Sequence, residues 1–195
     1  MINTLSVVNE MLGTLGELPV NDLDAFHPVI PKAIAKLGTI NSTIQAERWW
    51  FNTEYPTLTP QAGSGEIMLP TDLLSVDSIA QWPAVAVRGN RLYNLDDSTY
   101  VFTRPLPMRL HREIPFDELP MLARAYIGVA AVLSFQTDID GDPIKMDKLE
   151  QRVAQTRALC NAEHSRNVRA NMLQRPGVLA ALNRMRGHRV YPSRR

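Results

Sequence analysis

The sequence predicts an α+β protein: a discontinuous helical bundle with an inserted small antiparallel β domain and an extended C-terminal arm. Three observations predict it. Apolar residues recur at three- and four-residue spacing near the start of the chain and again after residue 117. Between these stretches, prolines break the chain into short apolar runs. The last 32 residues hold eight arginines and not one carboxylate. The divisions are 1–48 and 117–167 for the bundle, 49–116 for the β domain and 168–195 for the arm.

Asn3 is placed to cap a first helix whose stripe is Leu5, Val8, Leu12 and Leu15; Gly16 and Pro19 end it. Pro28 and Pro31 suit the entry of a second helix with Ile30, Ile34, Leu37, Ile40 and Ile44 on one face until about Arg48. These two helices are expected to pack together. Strands are expected over 66–69, 74–82, 84–88, 91–95, 100–103 and 108–114, with Gly89-Asn90 as a hairpin turn. Asp117 is expected to cap a third helix carrying Leu119, Leu122, Tyr126, Val129 and Leu133. Ala123, Ile127 and Ala130 widen its apolar face, as in a central helix. A last helix follows Pro143, with Met146, Leu149, Val153, Thr156 and Cys160 on one stripe and charges elsewhere. Its pattern decays after about Asn167, and residues 176–186 form a candidate short helix.

Composition removes several chemistries. A single cysteine, Cys160, excludes a disulfide framework within the chain and leaves no thiol set for zinc. His27, His111, His164 and His188 lack paired metal-ligand spacing and read as structural or solvated. Asp138, Asp140 and Asp142 alternate like the start of a calcium loop. Pro143 and Leu149 then occupy the places of its glycine and its bidentate glutamate, so a turn capping the next helix is the better account. No glycine-rich phosphate loop is present, no cofactor is implied, and nothing positive supports a catalytic site. The apolar run 125–133 is too short for a bilayer span, and the opening residues lack a signal-peptide pattern, so the reading is a protein made in a cytoplasm without a membrane anchor.

Two features point to partners. Arg166, Arg169, Arg175, Arg184, Arg186, Arg189, Arg194 and Arg195 leave the first 163 residues with 13 basic against 20 acidic side chains. Such a one-signed block requires solvent, an anionic partner or a polyanion. Apolar residues interleaved with it, Tyr191 among them, favour a protein-binding arm over a nucleic-acid arm that contacts phosphates. The second feature, Trp49-Trp50-Phe51, is the dense aromatic cluster of the chain and reads as a core plug at a hinge, with one ring free for a neighbouring subunit.

The run Val8-Asn9-Glu10-Met11-Leu12-Gly13-Thr14-Leu15-Gly16-Glu17-Leu18-Pro19-Val20, followed by Arg48-Trp49-Trp50-Phe51-Asn52-Thr53-Glu54, resembles the tail tubular protein A family of short-tailed, podovirus-type bacteriophages. The resemblance implies a virion structural protein, made in the host cytoplasm. It would be a head-to-tail adaptor forming a dodecameric ring between the portal protein and the tail nozzle (tail tubular protein B). A tail fibre is a further partner, and genomic double-stranded DNA passes through the channel. On this reading the arginines above and Tyr191 dock onto the portal and the β domain meets the nozzle. The rivals are a nucleic-acid-binding protein using the arm and a tail-associated hydrolase.

Overall fold

The computed structural model describes residues 2–79 and 83–173, and for 169–173 the backbone alone. Its helices are α1 (Thr4–Thr14), α2 (Ile30–Gln45), α3 (Met121–Ile139) and α4 (Pro143–Leu173). Its strands are β1 (Thr53–Glu54), β2 (Thr57–Leu58), β3 (Leu73–Ser78), β4 (Val85–Arg88), β5 (Arg91–Asn94) and β6 (Leu106–Arg112). The class is α+β, as the periodicities imply. No described helix is long and apolar enough to cross a membrane.

α3 organises the helices. Ala123, Tyr126, Ile127, Val129, Val132 and Phe135 are all buried, on more than one side of the helix, because α1, α2 and α4 each pack on it. α1 and α2 touch each other, but each meets α3 more extensively. That placement rotates the stripes read from sequence. α1 buries Val7, Val8, Met11 and Leu12, with Leu5 only half-buried. In α2 the second position of the stripe fails: Ile34 is 38% exposed, and Ala33, Asn41 and Gln45 face inward instead. α4 keeps its expected stripe, with Leu149 and Cys160 buried and Met146, Val153 and Thr156 half-buried.

Local signals fix the helix ends. Asn3 Oδ1 accepts from Ser6 N at 2.9 Å and Ser6 Oγ accepts from Asn3 N at 2.9 Å, a reciprocal cap that satisfies two free donors. Gly16, at φ +78°, turns the chain out of α1 in a conformation that costs glycine little. Asp117 does not cap the third helix. That helix begins after Pro120, and the Asp117 carboxylate instead accepts from Thr4 N and Thr4 Oγ1, both at 2.8 Å, pinning the start of α1 to the approach to α3. Asp142 caps α4 through Ile144 N at 2.9 Å. α4 continues to Leu173, so 168–173 are helical where the arm was expected to be extended. The candidate helix at 176–186 lies outside the described residues.

In the sheet, β6 is the hub. β1 and β2 pair along it as one edge interrupted at Tyr55-Pro56, and β3 pairs with it as well, all antiparallel. β4 and β5 form a separate hairpin, with Gly89 at φ +64° in its turn. The runs 66–69 and 100–103 are not strands; they supply isolated bridges such as Glu66 to Val101. The end of the run 74–82 lies outside the described residues, and β1 and β2 were not foreseen. Ile67, Leu69, Leu92, Phe102, Leu106, Met108 and Leu110 make a second core, distinct from that of the helices.

Gly128 sits where α1 crosses α3, at the floor of a groove of about 490 Å³ lined also by Val7, Met121, Arg124 and Arg152. A Cβ there would lie 3.0 Å from Val7 Cγ2. Gly128→Leu should therefore overpack the crossing and destabilise the fold by about 1–3 kcal/mol in urea titration. Ala158→Leu, on the exposed face of α4, serves as a control and should shift stability by less than about 0.5 kcal/mol.

Candidate functional site: the helix–sheet junction and the basic end of α4

The chain leaves the helices after α2 and returns after β6, and one buried side chain holds both crossings. Gln45, fully buried, donates from Nε2 to Ile114 O at 2.8 Å and accepts at Oε1 from Ile114 N at 2.9 Å. This mimics a β-bridge between a side chain and a strand-like backbone. Asn41 adds a bond from Nδ2 to the same carbonyl at 3.1 Å. Asn52 donates to Gln45 O at 2.9 Å and accepts from Trp49 N at 3.0 Å, which shapes the outgoing turn. Asn41 and Gln45 are not among the sequence-predicted residues, and their signal is a polar residue on the inward face of an amphipathic helix; Asn52 figures there only within the aromatic motif.

Trp49 is 3% exposed, and its indole donates to Ile44 O at 2.8 Å. It stacks on Phe51, with ring centroids 6.2 Å apart, and meets Tyr126 edge-on at 6.1 Å. Trp50 and Phe51 are half-buried. α4 closes the cluster with His164, which lies edge-on to Trp49 at 5.5 Å and whose Nδ1 accepts from Trp50 N at 3.2 Å. Arg157 pairs with Glu47 at 3.1 Å. Cys160 is buried beside them, and its thiol is pushed up to about 12, first by burial and then by the Glu163 and Glu47 carboxylates. It is a packing residue, unreactive as a nucleophile.

Beneath the junction, His111 is 2% exposed, with Nδ1 3.1 Å from Thr53 Oγ1 and Nε2 3.6 Å from Asp77. The trio has the residue types of a hydrolytic triad but not its access. The Thr53 hydroxyl already donates to Trp49 O, and no substrate carbonyl reaches a sealed imidazole. Asp77 is also held by Arg48 at 2.9 Å, and Arg48, in the turn after α2, is in a left-handed conformation at φ +71°. Burial and then the Arg48 charge push His111 below its ordinary value, outweighing Asp77.

The arm enters this picture only at its root. Arg166 is exposed on α4, just past His164, and has no carboxylate partner among the described residues. The side chain of Arg169 lies outside the description, as do Arg175, Arg184, Arg186, Arg189, Tyr191, Arg194 and Arg195. Among the described residues, no cluster of three His, Cys, Asp or Glu side chains is placed to hold a metal ion.

Two outcomes follow from this geometry. Gln45→Leu leaves the Ile114 N–H unsatisfied and its C=O with the Asn41 bond alone, and should cost about 1–3 kcal/mol in chemical denaturation, whereas Gln151→Leu on the exposed face of α4 should be near neutral. His111 binds its proton more weakly folded than unfolded, so its contribution is intact above pH 6.5, its ordinary value, and shrinks as pH falls below it. Stability measured at pH 7.5 and 5.5 should therefore drop less for His111→Gln than for the parent chain.

Residues 5–170 match the family model described as tail tubular protein. The chain is also similar to the Tail tubular protein A of Klebsiella phage KP34, 25% identical over 166 residues that cover 85% of this chain and 88% of that relative. The matched stretch takes in the helices, both crossings of the junction, the sheet and the root of the arm. The chain belongs to the tail tubular protein family, structural components of the bacteriophage virion tail.

Proposed function

We propose that the protein is the adaptor of a short phage tail: copies close into a ring set between the portal and the tail nozzle, and the genome passes through its bore. The observation that carries this reading is the family match across nearly the whole chain. Two features of the molecule support it. The helical part and the sheet part have separate cores joined by a satisfied amide clamp, so one subunit offers two rigid and chemically different surfaces to two neighbours. The first 163 residues are net acidic, which suits a bore that DNA must cross without sticking.

Ring closure demands a heterologous interface, one flank of each copy against the opposite flank of the next. α2 and α4 lie against different sides of α3 and are the flanks available for it. The eight arginines keep a nucleic-acid reading in play, and one experiment separates the two. Electron microscopy of the purified protein, alone and with portal rings, should show closed rings coaxial with the portal, and duplex DNA should not be retained at physiological salt. Arm-dependent DNA retention without rings would favour the nucleic-acid protein instead.

A further inference from the structure

The end of the bundle farthest from the sheet carries large apolar side chains that stay exposed among the described residues. Leu18 is 84% exposed and Phe26 fully exposed, both on the loop between α1 and α2. Ile144, at the start of α4, is 69% exposed. The loop and the start of α4 share that end because Lys145 Nζ donates to Thr14 O at 2.7 Å and Lys36 pairs with Asp138. Thr4 and Asp117 meet at the opposite end, beside the sheet. Between Glu17 and Val29 the loop has three carboxylates and no lysine or arginine. Asp22 and Asp24 are exposed and carry no ion pair among the described residues.

An apolar surface whose loop also carries two carboxylates without ion pairs among the described residues, Asp22 and Asp24, beside Glu17, which lies 4.0 Å from His27, calls for an occupant that is apolar and cationic. The chain itself contains such a segment: after Glu163 it has no carboxylate, and Val178, Leu179, Leu182, Met185 and Tyr191 alternate with arginines. We propose that the loop 16–29 is the seat for the C-terminal segment, 174–195, of a second copy. This rests on the reading of the chain as a ring subunit and names the partner of its arm as the neighbouring copy, in place of the portal expected from sequence. Leu18 and Phe26 fill the gaps between arginines, and Glu17, Asp22 and Asp24 neutralise them.

Reach permits it. α4, 31 residues long, spans about 46 Å, and it passes the junction at His164 before ending at Leu173. A segment of about 22 residues extends up to about 75 Å, enough to run back along an adjacent parallel copy to its loop. Each contact is weak, but closure of a ring repeats it at every seam, so the strap gains from multiplicity.

The test uses the full chain. Ala25→Cys and Ser193→Cys are placed in separate populations carrying tags of different length, mixed and oxidised; Cys160, buried, does not compete. The expected result is a disulfide joining one copy of each kind, lost when Asp22→Lys and Asp24→Lys are combined or when salt is raised to screen the pairing. Leu18→Ser with Phe26→Ser, which remove only exposed side chains, should lower its yield several-fold. Closed rings lacking this cross-link overturn the seat while leaving the adaptor reading intact, as does a disulfide that forms only within one chain carrying both cysteines or an arm that cross-links only to portal. Failure to form rings with or without portal removes the adaptor reading itself.

Discussion

The fold depends on how Gln45 and Ile114 are paired. An insertion of this size leaves the bundle at one point and re-enters at another, and both crossings carry backbone donors and acceptors that lie out of reach of helix and sheet ladders. Gln45 answers the returning strand with both ends of its amide, while its own carbonyl holds Asn52 and hence the outgoing turn. A buried amide is costly unless every bond is made, so this arrangement is satisfied in one register and penalised in its neighbours. The clamp thereby sets the orientation of the sheet part at little net gain in stability. Specificity is its product.

The residues around the clamp follow from it. Once the outgoing turn is fixed, Trp49 packs against Tyr126 of α3 and His164 of α4, and its indole donates to Ile44 O near the end of α2. Arg48, in the turn that follows the helix, takes positive φ, a conformation that costs a residue with a Cβ roughly 1–2 kcal/mol. Asp77 on β3 offsets part of that by holding the guanidinium. The same carboxylate stands near His111 on β6, so the end of α2, β3 and β6 share one charged knot. Strain in the connector is in this way balanced by contacts on the sheet.

How legible was this from sequence? The helices were, because a three-four period over ten or more residues has no competing explanation, and the breadth of the α3 face correctly marked it as central. The faces of α1 and α2 lie a fraction of a turn from those the apolar residues imply: Leu5 is as apolar as the Val7 and Met11 that are buried, Ile34 is more apolar than the Ala33, Asn41 and Gln45 that face inward, and only the position of α3 decides which are covered. Asp117 was assigned to its neighbour in sequence; its true partner, Thr4, lies 113 positions away and leaves no local trace. Runs 66–69 and 100–103 have strand composition but make isolated bridges. β1 and β2 are too short for alternation to register. Gln45 and Asn41 are invisible for a plainer reason: an amide in an amphipathic helix ordinarily faces water, and Asn52, in the turn beyond, carries no periodic signal at all.

Along α4 the charge pattern changes character at the aromatic junction. Before it, Arg152 pairs with Glu10 and Arg157 with Glu47, each tying α4 to another helix or its end. Their charges are consumed within the subunit. His164 contacts the aromatic cluster, and Arg166, two residues on, has no carboxylate partner among the described residues. Glu163 is the final carboxylate of the chain. Asp22 and Asp24 in the α1–α2 loop, without ion pairs among the described residues, stand at the other end of the bundle from Arg166. The arginines after Glu163 have no carboxylate side chain downstream of them in sequence, so their counter-charge must come from an earlier part of the subunit, from another molecule or from solvent.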